Sequence, residues 1–410
     1  MCASSLPSGA PYAQIQDAVD AAQEGDTILV KTGTYASFVV SARSLTIAGD
    51  AGHTVDVVGA VRVRNLGAGQ RVVLAQLRAT GVGAPSGFGQ YGLYASNNTG
   101  ALRADRCAFV GADADAGHPD GYPGVELINC QDAALAHSSA RGGSGRDGWS
   151  GISAGRSGDG LHASGSTFAI SASSLAGGRG QNGSNCWNSP DGADGGDALQ
   201  VEGCVVLVCG GVALAGEGGD GVTPTFGCSC LVGSYGGVAG SALASLAGSI
   251  VHVQACSEVP ARDGNGYGSL CSFQSGSLEP ARLGAGFVEL SGPARLVEAA
   301  VVTRETQDLA LRVHGAPGDR VYLLQAGTSE PAAYLGAWEG MLLVPRTRPM
   351  LLMLLGTIPA SGVLDEGLLA ADLGPGVLAR TRHLQVLVDD AAGARRLGEA
   401  VRSLALDQQF

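Results

Sequence analysis

Lysine is almost absent from this chain: Lys31 is the only one, and charged residues make up 15% of 410 residues. The formal net charge is −12, and no basic run occurs, which argues against nucleic acid as a partner. Low charge combined with 45% hydrophobic residues excludes a largely disordered chain. An acidic surface of this kind suits solubility, or divalent cations, rather than polyanions.

Long apolar runs are also missing, so we expect no transmembrane segment. Residues 350–355 (MLLMLL) are too short, because a membrane-spanning helix needs about 20 apolar residues. The start, MCASSLPSGAPY, has neither a charged n-region nor an apolar h-region. We interpret it as the start of a mature secreted chain without its signal peptide, with a lipid-attached Cys2 as the alternative.

Glycine is what the sequence has in excess, with 66 of 410 residues against about 7% in average proteins. No Gly-X-Y period occurs, which excludes collagen. We expect these glycines in tight turns and in loops with positive φ. The ten cysteines form no CxxC pair, and their even number is compatible with disulfides in an oxidising compartment.

Residues 12–35 (YAQIQDAVDAAQEGDTILVKTGTY) give the most specific fold signal. Ile15, Val19 and Ala22 lie at helical spacing, and Gly25 ends the predicted helix. Short strands are predicted at residues 27–31 and 44–48. The pattern resembles the N-terminal cap of pectin-lyase-like β-helices, known from secreted bacterial proteins. The resemblance implies an all-β fold, a right-handed parallel β-helix with an N-terminal helical cap, but no particular activity, because the cap occurs on enzymes and non-enzymes alike.

Gap-free repeats support a solenoid independently of that cap. When the repeats are aligned, the residues at their second, fourth and seventh positions are small or apolar, as expected for inward-facing positions of stacked strands. Between them, Gly-rich loops of varying length are expected to project from one edge, where function is usually found. The repeats begin at Arg71 (the weakest), Ala101, Gly124, Gly160, Ala198 and Ala242.

After about residue 280 the Gly-rich loops fade, and strand-like runs alternate with Pro/Gly turns. We therefore predict two domains. Residues 1–280 form the β-helix with long Gly-rich loops on one edge, and residues 281–410 form a β-sandwich-like module.

The positions of the aligned repeats that are expected to point outward supply candidate catalytic residues. Neighbouring strands lie about 4.8 Å apart, so the ionisable residues at these positions are expected to share one face. The resemblance to polysaccharide lyases implies acidic residues, often with Ca²⁺, and a basic residue that removes a proton α to a uronate carboxylate. Paired carboxylates would instead hydrolyse a glycoside. A solvated, non-catalytic polar face is the alternative, favoured by the absence of an Asp-Asp pair with a following Gly-His. The candidates are Arg103, Asp105, Glu126, His162 and Glu202.

The loops carry further candidates. Asp191, Asp194 and Asp197 lie three residues apart, and carboxylate oxygens on Gly-rich loops suit Ca²⁺, although Asp-Gly is also a common turn sequence. Loop aromatics either stack on sugar rings or anchor their own loops to the rungs. These candidate ligand-binding residues are Trp149, Trp187, Tyr235 and Tyr267.

Two sets of cysteines are candidates for disulfides. Cys107 and Cys130 are expected on adjacent rungs, where they either bond or pack as thiols. A disulfide between Cys186 and either Cys228 or Cys230 would link two long loops covalently.

Two functions remain open. The favoured one is a secreted or cell-surface structural or adhesive protein, whose loops bind a glycan or a surface or mediate self-association into a larger assembly. The alternative is a polysaccharide lyase or glycoside hydrolase acting on an extracellular acidic polysaccharide. Three or more ionisable side chains converging in one groove would favour the enzyme.

Overall fold

The computed structural model describes residues 2–3, 11–50, 54–83, 90–115, 117–146, 154–183, 191–221, 235–267, 273–327, 332–344, 351–369, 373–374 and 377–407. Strands dominate these residues, and the helix Ile15–Ala21 precedes the main sheet. In the described part of the chain, no helix is long and apolar enough to cross a membrane. Trp149, Trp187, Cys186, Cys228 and Cys230 lie outside the described residues.

The strands between residues 27 and 289 form a parallel β-helix in which successive coils stack in register. Each coil passes through three strand segments, which stack into three faces that we name A, B and C. Face A contains residues 33–36 and 55–58, Arg78–Thr80, Ala108–Val110, Ser139–Arg141, Ser174–Ala176, Val212–Leu214 and Ser257–Val259.

Faces B and C complete each coil. Four long strands bend across two faces: Gly33–Ser41 and Val55–Arg64 run from A to B, and Leu93–Asp105 and Val125–Ala136 run from B to C. Face B contains residues 38–41, 61–64, 93–96 and 125–128, Leu161–Ser164, Leu199–Glu202, Leu243–Leu246 and Arg282–Gly284. Face C contains Thr27–Val30, Leu45–Gly49, Arg71–Ala75, residues 101–105 and 132–136, Thr167–Ser171, Val205–Cys209, Ile250–Gln254 and Phe287–Glu289.

The corner between faces B and C is made by one residue per coil in the left-handed region of φ. Asparagine and glycine tolerate this conformation better than other residues, which explains their recurrence at this corner. The corner residues include Asn65, Asn97, Asn129, Gly165 and Gly203, with φ between 52° and 61°.

The inward side chains of the coils form one continuous apolar core. The helix Ile15–Ala21 belongs to it, because Ile15, Ala18 and Val19 are buried in the same cluster as the coil residues. Among the described residues, free thiols are present at Cys107, Cys130, Cys204, Cys209 and Cys256. Cys107 lies where a coil turns from face C to face A, and Cys130 where the next coil turns from B to C. The two cysteines are therefore on successive coils, as predicted, but at different corners and not side by side.

The predicted repeat register is correct for four segments and wrong for two. Val125, Leu161, Leu199 and Leu243 pair side by side on face B, as the segments starting at Gly124, Gly160, Ala198 and Ala242 require. The segments starting at Arg71 and Ala101 lie on face C instead. Residue 93, not residue 102, is the partner of Val125.

The long Gly-rich segments all connect face A to face B, and we call them the loop layer. It comprises the described parts of residues 81–92, 111–124, 142–160, 177–198, 215–242 and 260–281. Its backbone is hydrogen-bonded between coils at every third residue, the period of an extended helix with three residues per turn. Gly177, Gly180 and Gly183 donate to the carbonyls of Leu214, Glu217 and Asp220 in the next coil.

The glycines of the loop layer are needed for close packing, which differs from the predicted role in positive-φ turns. Gly158, Gly178 and Gly196 are not among the residues with positive φ. Their amides form one ladder, with Gly178 donating to Gly158 and Gly196 donating to Gly178, at 2.8 and 3.0 Å. A Cβ on Gly178 or Gly196 would overlap a neighbouring backbone carbonyl. The segments therefore pack at a distance that only glycine permits.

The last coil replaces apolar core residues by charged ones. Arg282 continues the inward column of Leu243, and Glu289 continues that of Val253. Arg282 pairs with Glu289 and with Glu258, and its guanidinium lies 5.1 Å from the Phe287 ring centre. The apolar core thus ends in an ionic cluster.

Residues from 296 onward form sheets separate from the β-helix. One sheet contains Leu296–Ala299, Asp308–His314 and Val363–Leu369. A second contains Val302–Arg304, Arg395–Leu406, Ala379–Asp389, Arg320–Ala326 and Leu351–Thr357. A hairpin of Ala333–Leu335 and Gly340–Leu342 accompanies them, and apolar side chains from the first two sheets share one core.

These sheets pack on face C, and the junction contains buried charges. Arg103 is fully buried and pairs with Asp132, which is 1% exposed. His383 lies between two arginines, with Arg402 Nε donating to its Nδ1 at 2.9 Å and Arg71 Nη1 lying 2.8 Å from its Nε2. Apolar contacts surround this polar cluster on both sides.

A second ionic contact at the junction predicts how stability depends on pH. His137 lies 3.3 Å from Glu399, which also accepts from Ser171 Oγ at 2.7 Å. Burial lowers the pKa of His137, but the hydrogen bond and charge of Glu399 outweigh it and raise the pKa to about 9. A raised histidine pKa stabilises the fold below the unfolded value of 6.5, and this contribution is lost as the pH rises through 9.

We therefore expect the urea midpoint of the protein to fall between pH 6.5 and 9.5. The fall should be smaller in His137→Gln, which lacks the titrating group. Equilibrium unfolding of both proteins at the two pH values measures the difference. An equal fall in the two proteins would contradict the assignment to His137.

Candidate functional site

An outward ladder on face B brings aromatic and ionisable side chains together. Arg62 pairs with Tyr94 in the next coil, Tyr94 with Glu126, Glu126 with His162, and His162 with Gln200. Outward side chains of successive parallel strands stack at the strand spacing of about 4.8 Å. The ladder therefore extends along the solenoid axis.

Glu126 and His162 form the centre of this ladder. His162 Nδ1 lies 2.8 Å from Glu126 Oε1, so the protonated Nδ1 donates to the carboxylate. Glu126 is 6% exposed, whereas the His162 side chain is 30% exposed. The hydrogen bond to Glu126 raises the pKa of His162, although burial opposes it. The pair thus presents an oriented imidazole to solvent.

Asp159 and Arg156 flank the pair on the loop-layer side. Arg156 Nη2 lies 3.3 Å from Asp159 Oδ1 and donates to Asp197 Oδ2 at 2.7 Å. Burial raises the pKa of Asp159 to about 6, against the lowering effect of Arg156. The charges of Asp159 and Arg156 both act on His162, the first raising and the second lowering its pKa.

Three tyrosines also lie beside the pair, Tyr94 on face B and Tyr91 and Tyr122 in the loop layer. The Tyr91 ring lies 5.3 Å from that of Tyr94 and 5.7 Å from that of Tyr122. Burial and then the charge of Glu126 raise the pKa of Tyr91 to about 12, so its hydroxyl stays protonated at neutral pH. We name this group of side chains the face B site: Tyr91, Tyr94, Tyr122, Glu126, Asp159 and His162.

The structure places some of the catalytic residues predicted from the sequence close together and others far apart. Glu126 and His162 are in contact, and Glu202 is exposed on the next coil beside Ser164. Arg103 and Asp105 are buried on face C beneath the C-terminal sheets, which corrects the prediction that they share this face. Both residues were assigned to face B because the repeat starting at Ala101 was predicted in the wrong register.

The loop aspartates accept hydrogen bonds from the backbone of the next coil. Asp191 accepts from Tyr235 N, Asp194 from Val238 N and Asp197 from Ser241 N, at 2.6–2.7 Å. Among the described residues, no group of three or more His, Cys, Asp or Glu side chains is arranged to hold a metal ion. Hydrogen bonding to these backbone amides therefore explains the three-residue spacing of the aspartates, which is the pattern that suggested calcium.

The two described loop aromatics lie apart from the face B site. Tyr235 is 63% exposed. Tyr267 packs against Phe273, with ring centres 5.7 Å apart, in the hairpin of Gly266–Tyr267 and Phe273–Gln274. Sequence reasoning missed Tyr91, Tyr94 and Tyr122, and it did not place Asp159 beside Glu126. The Asn97 corner was the available signal, because it places residues 93–96 rather than 101–105 beside Glu126.

Comparisons with known proteins are sparse. No protein-family model matches the chain, and no curated protein matches it. Among solved structures, a crystal structure of pectate lyase Pel9A is similar, with 15% sequence identity and a TM-score of 0.26. The match covers 61% of this chain and 72% of that one.

Proposed function

We propose that the protein acts on an extracellular acidic polysaccharide bound along face B, with Glu126 and His162 as the acid–base pair. The observation that carries the proposal is the 2.8 Å contact between them in an outward ladder of ionisable and aromatic groups. A base oriented by a carboxylate is an arrangement suited to proton transfer. Membership of the pectin-lyase-like superfamily, and secretion, are part of this proposal.

The ladder offers contacts suited to a sugar chain on both sides of the pair. Tyr94 stands between Arg62 and Glu126 and supplies a ring face, while Arg62 supplies a positive charge two coils, or about 10 Å, from Glu126. An extended glycan lying along the axis would place a carboxylate near Arg62 and another sugar unit over His162. The positive charge of Arg62 would favour acidic sugars in an otherwise acidic protein, whereas that of Arg156 is balanced by Asp159 and Asp197.

Two reactions fit this arrangement. In β-elimination, neutral His162 removes the proton α to a uronate carboxylate, the C–O bond to the leaving sugar breaks, a double bond forms, and the departing oxygen takes up a proton from water. In hydrolysis, a carboxylic acid protonates the leaving oxygen while a carboxylate assists water. Asp159, with its pKa near 6, is a suitable acid for the second reaction.

A panel of acidic polysaccharides, assayed for unsaturated uronate and for reducing ends, distinguishes these reactions. We expect His162→Gln and Glu126→Gln to lower the rate by about 10²–10⁴-fold. Glu202→Gln, on the same face but beside Ser164, serves as the control and should retain activity. Because Glu126 raises the pKa of His162, the acidic limb of the rate profile should move to lower pH in Glu126→Gln.

A wild type that releases no product from any polysaccharide, with and without Ca²⁺, would overturn the enzymatic proposal. Equal activity in wild type and His162→Gln would overturn the assignment of the base.

The second candidate is a structural or adhesive protein of the cell surface. The loop layer favours it, because its inter-coil hydrogen bonds give the glycine-rich edge a fixed shape for contact with a glycan, a surface or another copy. This proposal predicts retention on polysaccharide or cell-wall material that survives in the Glu126→Gln, His162→Gln double variant. Loss of retention in that variant would show that the polysaccharide binds at face B and not at the loop layer.

A further inference from the structure

A cavity of about 710 Å³ opens between the two C-terminal sheets. Its volume lies within the range of roughly 300–1,000 Å³ typical of small-molecule sites. It continues the apolar core of these sheets at the end where the strand Ala379–Asp389 begins. Much of its wall is aliphatic, with contributions from Leu351, Met353, Leu368 and Leu369.

Arg382 contributes a buried positive charge to this wall. The residue is only 8% exposed. Alternate residues of a strand point to the same side, so Arg382 faces the space between the sheets together with the core residues Leu384 and Val386. In the described part of the chain, no carboxylate pairs with Arg382. Burial and then the like charge of Arg380 lower its pKa, with no acidic side chain opposing them. A buried cation ordinarily has an anionic partner, because an unpaired one is costly.

Arg380, which also lines the cavity, strengthens the case for an anionic ligand. It is exposed and lies two residues before Arg382 on the same side of the strand. Two guanidinium groups at one end of an aliphatic cavity suit a ligand with a charged end and an apolar end.

We propose that this cavity binds a single-chain amphiphile with a carboxylate head, as in a medium-chain fatty acid. The head pairs with Arg382 and Arg380. The tail lies against Leu351, Met353 and Leu368. This site is separate from the face B site and does not depend on the function proposed for it.

Titration calorimetry of the full chain with dodecanoate, below its micelle concentration, tests the proposal. We expect saturable one-to-one binding that weakens by about fourfold for each methylene removed from the tail. Dodecanol, which has the tail without the charge, should bind at least about tenfold more weakly, because a charge-assisted hydrogen bond is lost. Acetate should not compete.

Arg382→Met isolates the head group. It should weaken dodecanoate binding by about tenfold or more and leave dodecanol binding unchanged. In the absence of ligand it should raise the thermal midpoint, because a buried unpaired charge is removed. Arg395→Met, an exposed arginine of the adjoining strand paired with Asp389, is the matched control. Arg382→Lys, which keeps the charge, should bind if the methionine variant fails to fold.

Absence of dodecanoate binding by the wild type would overturn the proposal, and so would equal affinity in wild type and Arg382→Met. Competition by acetate at the affinity of dodecanoate would show a plain anion site and would overturn the role of the tail. None of these outcomes bears on polysaccharide cleavage at face B.

Discussion

Gly196→Ala is expected to destabilise the protein by more than about 4 kcal/mol, a size reserved for severe steric or electrostatic faults. Gly196 donates to Gly178 O at 3.0 Å and accepts from Gly216 N at 2.9 Å. An added Cβ would overlap the Gly158 carbonyl, which is itself backbone and cannot rotate away. Relief requires the segments to separate, which breaks hydrogen bonds between coils.

Gly117→Ala is the matched control within the same layer. The nearest heavy atom to its added Cβ would be Asp115 Oδ1 at 3.5 Å, an ordinary contact. Urea unfolding followed by circular dichroism measures both variants, and hydrogen exchange of residues 154–198 reports whether the damage is local. A midpoint of Gly196→Ala equal to that of Gly117→Ala would refute the close-packed description of the loop layer.

Asp132→Ala is expected to cost about 3–5 kcal/mol, because it leaves the fully buried Arg103 without its counter-charge. The cost is raised by nearby positive charges, since Arg71 and Arg402 both lie close enough to Arg103 for its charge to lower their pKa. The C-terminal sheets should then detach more readily from face C. Limited proteolysis and urea unfolding both measure this effect.

The exposed pair of Arg312 and Asp365 provides the comparison. Its side chains are 54% and 65% exposed, so Asp365→Ala should destabilise the protein far less than Asp132→Ala. Replacing both buried partners, as Arg103→Met with Asp132→Leu, should recover most of the stability lost in Asp132→Ala. If the double variant is as unstable as the single one, packing rather than the unpaired charge explains the loss.

The general architecture was predictable because it follows from local chemistry. Helical spacing at Ile15 and Val19, and alternating apolar columns in the later coils, both reflect burial against a single core. The register of the early coils was not predictable from these columns. Leu93–Asp105 and Val125–Ala136 bend from face B to face C without a break in strand pattern, so either half of each strand matches the repeat.

The candidate site was predictable only in part for the same reason. Glu126 and His162 were found because their coils were aligned correctly, whereas Arg103 was assigned to their face by the register error. Tyr91 and Asp159 approach the pair from the loop layer. Their proximity depends on how the segments stack between coils. The sequence does not show this stacking, because glycine is equally typical of turns.

The ionic cluster of the last coil affects how such a solenoid can change in length over evolution. A new coil placed after residue 289 would bury Arg282, Glu258 and Glu289, with a desolvation cost of several kcal/mol per charge. Duplication of a coil between two apolar neighbours buries no charge. Lineages of this protein should therefore gain or lose coils in the middle of the series, while the charged coil remains last.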